Sequence, residues 1–168
     1  MKINIRKSLK LLTLLITSLL IATASAYTYT YLFMGVGITV TSQQIVWIKD
    51  GSTVSGGTVN MTFTVQQGVY TWFNETLYLK NTGTDTKNVN ITVTNPASTS
   101  VFDICKVYVY DNFTGSGTWT LVGTLDALTS DSLLNKSLNA DGYFRFDFEI
   151  KAKSTASGSD NFEITVVY

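Results

Sequence analysis

From Tyr143 to Ala152 apolar and polar side chains alternate without a break. Phe144, Phe146, Phe148, Ile150 and Ala152 fall on one face, and Tyr143, Arg145, Asp147, Glu149 and Lys151 on the other. A period of two over ten residues predicts a strand with one buried face and one solvated face. Residues 162–168 repeat the pattern, with Phe162, Ile164, Val166 and Tyr168 inward. The intervening "STASGSD" is rich in turn formers, so these two segments are expected to pair as a hairpin. Upstream, Val59, Met61, Phe63 and Val65 alternate with Asn60, Thr62 and Thr64. Phe73, Leu77 and Leu79 alternate with Asn74, Thr76 and Tyr78, and Val89, Ile91 and Val93 with Asn88, Asn90, Thr92 and Thr94. Further strands are expected at 44–49, 101–110 and 118–123. The clusters "DGSTVSGG", "NTGTDTK", "NPAST" and "DNFTGSG" separate them, and the single proline, Pro96, falls in one of these turns. Residues 125–141 are the least regular and read as a loop or one short helix. Seven or eight strands with such turns predict an all-β chain, a single β-sandwich of Ig-like or jelly-roll topology.

The first 26 residues obey a different rule. Lys2, Arg6, Lys7 and Lys10 precede an uncharged apolar run over 11–23, and Ala24-Ser25-Ala26 is a small-x-small site. This order reads as a secretory signal peptide over 1–26, cleaved after Ala26. An uncleaved membrane anchor is the rival reading. A type IV pilin would be cut before its apolar segment, whereas the small-residue site here follows it. On this division the mature chain is 27–168, with an arm over 27–40 and a β-sandwich over 41–168. It touches a membrane only through the signal peptide before cleavage.

Composition narrows the chemistry. Without 1–26 the chain keeps 8 basic and 12 acidic side chains, a mildly acidic balance that lacks the basic footprint of nucleic-acid binding. Charged residues make up 14% of the chain, below the roughly 25% usual for soluble domains. Something other than charge must hydrate its surface. There is no histidine, so the commonest general base is missing, and no Ser-His or Cys-His pair can form. No EF-hand-like spacing of Asp is present. Gly35-Val36-Gly37 lacks the strand-turn-helix context of a phosphate loop. These features argue against an enzyme and imply no cofactor and no metal. Asp147 and Glu149 alternate with Arg145 and Lys151, which reads as a solvated strand face rather than a carboxylate pair. The lone Cys105 shares the parity of Val107 and Val109 and reads as a small buried apolar residue without a disulfide.

Five N-x-S/T sequons occur, at Asn60, Asn74, Asn90, Asn112 and Asn135. Asn60, Asn74 and Asn90 lie on the polar faces of predicted strands. Asn112 is expected in a turn, and Asn135 in the irregular segment. Each placement would let an N-linked glycan point into solvent, and glycans would hydrate a surface poor in charge. The nine Tyr and three Trp keep open a sugar-binding reading by stacking, although core packing also uses them.

The arm 27–40 is apolar on both parities. Tyr27, Tyr29, Tyr31, Phe33, Gly35 and Gly37 fall on one, and Leu32, Met34, Val36, Ile38 and Val40 share the other with Thr28 and Thr30. Left free, such a strand is an aggregation hazard without a charged gatekeeper. It is therefore expected to be buried, either in its own sandwich or in another copy by β-strand addition. With its export signal, its "YTYTYLFMGVGITV" arm, its single β domain and its dense sequons, the whole chain resembles the subunit of the archaeal thread surface filament. That resemblance implies a glycosylated, pilin-like extracellular subunit whose donor strand, residues 27–40, complements the next copy in a head-to-tail homopolymer. It implies roles in adhesion or biofilm. The acceptor groove would lie beside the 144–152 or the 162–168 strand. The alternative is a monomeric secreted or membrane-anchored β-sandwich glycoprotein that binds sugars or an envelope protein.

Overall fold

The computed structural model describes residues 31–40, 44–54, 58–113 and 117–168. The predicted signal peptide, Tyr27 and Tyr29 lie outside the described residues. Eleven strands form two sheets packed face to face: β1 (Tyr31–Val40), β2 (Ile45–Lys49), β3 (Ser52–Val54), β4 (Thr58–Gln66), β5 (Tyr70–Asn81), β6 (Lys87–Asn95), β7 (Phe102–Asn112), β8 (Thr120–Asp126), β9 (Ser132–Leu138), β10 (Tyr143–Ala152) and β11 (Ser159–Val167). Sheet one has the order β4-β1-β11-β6-β9, and sheet two the order β3-β2-β5-β10-β7-β8. The chain is the all-β sandwich that the alternation predicts.

Period-two burial explains why these segments are strands. In β4, Val59, Met61, Phe63 and Val65 are buried while Thr58, Asn60, Thr62 and Thr64 are exposed. Every inward residue of β10 named above is fully buried. Aromatic rings join the layers: Phe63 of β4 lies 4.9 Å from Phe148 of β10, and Phe148 lies 6.4 Å from Phe162 of β11. Asp50 and Gly51, both at positive φ, make the tight β2–β3 turn, which suits an Asp-Gly pair.

Three expectations are corrected. β10 and β11 do not form a hairpin. β10 pairs with β5 and β7 in sheet two, and β11 with β1 and β6 in sheet one. Residues 153–158 carry the chain between layers roughly 10 Å apart, so each strand buries its apolar face against the opposite sheet. Residues 125–141 are not a helix or a plain loop. They contain the end of β8 and all of β9, an edge strand with a register shift against β6. Finally, the polar face of β10 is not openly solvated. Asp147 is buried and bonds Arg145 at 2.8 Å, and Arg145 lies over the rings of Tyr110 and Trp119.

The sandwich has two distinct ends. At the linker end, β1 finishes, β2 begins opposite Asn81, and β11 finishes opposite the start of β6. At the far end, β1 starts opposite Gln66 of β4, β5 starts at Tyr70 and β11 starts at Ser159.

Candidate functional site

The feature that sets this sandwich apart is the place of its first strand. β1 sits between β4 and β11, and both neighbours bond to it along nearly their whole length. It runs antiparallel to β4, from Tyr31 opposite Gln66 to Thr39 opposite Thr58. It runs parallel to β11, from Phe33 opposite Ser159 to Val40 opposite Val166. Among the described residues β4 has no other neighbour in the sheet. Without β1, sheet one would be a three-stranded sheet and a detached strand, separated by a slot one strand wide.

Leu32, Met34, Val36 and Ile38 point into the core and are at most 1% exposed. These are four of the predicted donor residues. Tyr31, Phe33 and Val40 belong to β1, but their side chains lie outside the described residues. The floor of the slot comes from sheet two. Phe148 touches Phe63 on one bank and Phe162 on the other. Cys105 of β7 places Sγ 3.9 Å from Met34 Sδ. Burial, and then the negative charges of Asp126 and Asp160, push the Cys105 thiol well above its ordinary range. It is a protonated packing group in the floor of the slot, and its exposure is 1%.

The outer face of the slot is a notch. Gly35 and Gly37 leave a depression of about 220 Å³ bordered by Asn60, Thr62, Asn161 and Glu163. A Cβ on Gly35 would lie 3.6 Å from Asn161 Cβ, and one on Gly37 3.5 Å from Glu163 Cγ. Neither glycine is at positive φ. Their effect is to leave β1 without side chains at the centre of its outer face.

The five sequons do not share one environment. Asn60 on β4 and Asn74 on β5 are exposed, as is Asn135 on β9. Asn90 on β6 is half-buried, and its Oδ1 accepts a bond from the Asn135 backbone N–H at 2.8 Å. Asn135 has φ 52° and stands in the irregular stretch between β6 and β9. Asn112 departs from its expected turn. It is the last residue of β7, is 7% exposed, and donates from Nδ2 to the Thr118 carbonyl at 2.8 Å. The nitrogen that would carry a glycan is thus occupied and enclosed.

Sequence reasoning missed two features. Asn81 is fully buried at the linker end. Its Nδ2 lies within bonding distance of the carbonyls of Asp85, Leu138 and Asn139, and its Oδ1 accepts from Gly83 N–H. A buried amide that ties the 82–86 connection to the end of β9 has no signature in a single sequence. The second is an aromatic strip on the outer face of sheet two. There Trp72 stacks on Tyr108 at 5.2 Å and Tyr78 on Trp119 at 5.7 Å. Glu149 accepts a 2.7 Å bond from Tyr108 and pushes that phenol up to about 12, with burial and the Glu149 charge adding to the shift. No known family model matches the chain, and no curated protein matches it.

Proposed function

We propose that this chain is the exported, N-glycosylated subunit of a cell-surface filament. It polymerises head to tail when residues 27–40 of one copy fill the slot between β4 and β11 of another. The observation that carries this reading is the way β1 is held. It completes the core with four fully enclosed side chains. Yet its only covalent route to the other described strands is the short link 41–44. Five Cα steps from Val40 to Ile45 span at most about 18 Å. Such a strand can be exchanged between copies with its inward face buried again, which is the logic of β-strand addition and of domain swapping. Four such side chains at about 1.5–3 kcal/mol each bury about 6–12 kcal/mol of gross apolar free energy. That burial and both backbone ladders are present in the single chain as well as in the exchanged form, so exchange keeps them, and an association cost of about 4–15 kcal/mol must be met by contacts between subunits outside the slot.

The role is structural, in adhesion, cell contact or biofilm, rather than enzymatic. Exposed Asn60, Asn74 and Asn135 suit glycans that hydrate the fibre. The stacked Trp72–Tyr108 pair, with Trp72 49% exposed, is the one feature that favours the alternative of a sugar-binding monomer. The test is electron microscopy of the 27–168 protein with and without an excess of the 27–40 peptide. Filaments whose growth the peptide stops support the proposal. A protein that stays monomeric at all concentrations, with or without glycans, refutes it.

A further inference from the structure

Both the exit of the slot and the root of β1 lie at the linker end. Val40 stands opposite Val166, and Gln44 O accepts a 2.7 Å bond from Thr82 N–H beside the start of β2. This shared location restricts what exchange can build. A strand donated in the direction it has in the single chain leaves its neighbour's slot at that neighbour's linker end. The donor's own β2 starts at the donor's linker end, only four residues on. Linker end therefore meets linker end, and each further chain brings its linker end to the same place. The arrangement closes, most simply as a reciprocally swapped, isologous dimer. An open filament needs the donor's linker end against the neighbour's far end. Only a strand that enters in the opposite direction leaves the slot there.

We infer that donation reverses β1: in the assembled filament it runs antiparallel to β11 and parallel to β4 of its neighbour, with Val36 still opposite Phe162 and Met61. The inference rests on the filament reading above and specifies its geometry. Three observations carry it. First, β1 reads nearly alike in both directions about Val36. Gly35 mirrors Gly37, Met34 mirrors Ile38, and Leu32 mirrors Val40. A half-turn about the sheet normal keeps the inward positions apolar and the outward glycines in the notch. Second, the ladders are conserved in kind. β1 now has one antiparallel and one parallel neighbour, and reversal only exchanges them. At the notch, Gly37 would meet Asn161 instead of Glu163, and Gly35 the converse, with no side chain of β1 to clash. Third, exposed apolar groups occupy opposite ends. Phe113, 62% exposed, follows β7 at the linker end, and Val69 and Tyr70, 43% and 55% exposed, cap the far end. Head-to-tail contact buries both sets, whereas a linker-to-linker dimer leaves Val69 and Tyr70 in water.

Two engineered disulfides in the full chain read the direction. In the single-chain direction Thr39 stands opposite Thr165, and Phe33 is six residues from Thr165 along the ladder, about 20 Å. In the reversed direction Phe33 stands opposite Thr165, and Thr39 is the distant one. A disulfide needs Cα atoms within about 7 Å. The native Cys105, buried under Met34, stays in place, and the unaltered chain serves as the control for it. Oxidised filaments of Phe33→Cys/Thr165→Cys should give a ladder of covalent multimers on a non-reducing denaturing gel, and those of Thr39→Cys/Thr165→Cys should not. A ladder or closed dimer from the Thr39 pair overturns the reversal and leaves strand exchange standing. Internal closure of the Thr39 pair in a chain that never assembles overturns both. Electron cryo-microscopy of unaltered filaments guards against misfolded variants. A donor strand traced antiparallel to β11, with a rise per subunit on the order of one strand length (about 33 Å for ten residues), supports the inference, and a parallel trace overturns it.

Discussion

Two truncations of equal thermodynamic weight should separate the role of β1 from its mere contribution to the core. Ile38 on β1 is fully buried opposite Ile164 and Val59. Leu125 on β8 is also fully buried, but it pairs with Val107 in sheet two, where β8 faces β9, the strand of sheet one farthest from β4. Removing either side chain to alanine leaves a cavity and should cost about 2–5 kcal/mol of folding stability. For a domain of this size that is roughly 3–5 °C per kcal/mol, so both variants should melt about 6–25 °C lower by circular dichroism. Assembly should tell them apart. Ile38 lies in the exchanged strand, so Ile38→Ala subtracts that free energy from the hold that must break when a subunit leaves the filament. The rate at which diluted filaments shed subunits, followed by sedimentation, should rise by up to about 30- to 5,000-fold. Leu125→Ala should leave it within a fewfold of the unaltered protein. Equal shifts for the two variants, or no shift for Ile38→Ala, would falsify the assignment of β1 to the interface.

Cys105 offers an internal probe of the same slot. It should resist thiol reagents in the folded protein and label about tenfold faster or more in Met34→Ala, which opens the path over Sγ, as followed by absorbance under native conditions. Tyr108 titrates near 12 because its proton is held by Glu149. Its folded value lies above the ordinary value of about 10, so the stabilisation from that bond is complete below about pH 10 and lost as pH rises through 12. In Glu149→Gln, the Tyr108 component of the 295 nm titration, isolated by difference against Tyr108→Phe, should fall back toward 10, and an unmoved curve would remove Glu149 as the cause. Mass spectrometry of the exported chain should find glycans at Asn60, Asn74 and Asn135. Asn90 can join them because its Oδ1, not its Nδ2, accepts the Asn135 bond. Asn112 should be bare, since its Nδ2 is spent on Thr118 O, and a glycan there would show that the end of β7 opens before folding is complete.

The alternation of side chains was enough to identify β4, β6, β7, β10 and β11 as strands and to say which face each buries. That information is local, because a strand's two faces are set by the pleat and the hydrophobic effect alone. The same local rule made the arm 27–40, of which 31–40 are described as β1, legible as a buried strand, since a segment apolar on both parities has nowhere else to go. Asp50-Gly51 marked a turn for the same local reason, although the three-residue strand that follows it was hidden inside a run of turn formers.

Pairing is not local, and there the sequence by itself was silent or misleading. Phe144 to Ala152 and Phe162 to Tyr168 look like neighbours along the chain, but their apolar faces are best buried against each other across the sandwich, so they part into different sheets. Nothing in residues 125–141 announces β9, because an edge strand with a register shift has one partner and a weak apolar face. Arg145 and Asp147 alternate like solvated charges. Only the fold brings Tyr110 of β7 and Trp119, just before β8, against Arg145. The same holds for Asn81, which bonds the Leu138 and Asn139 carbonyls from 57 and 58 residues away. The arm's apolar character was written in its own residues. That it lies between β4 and β11, parallel to the last strand of the chain and rooted at the same end as its exit, was decided by tertiary packing, because direction and neighbour are properties of two backbones and not of one.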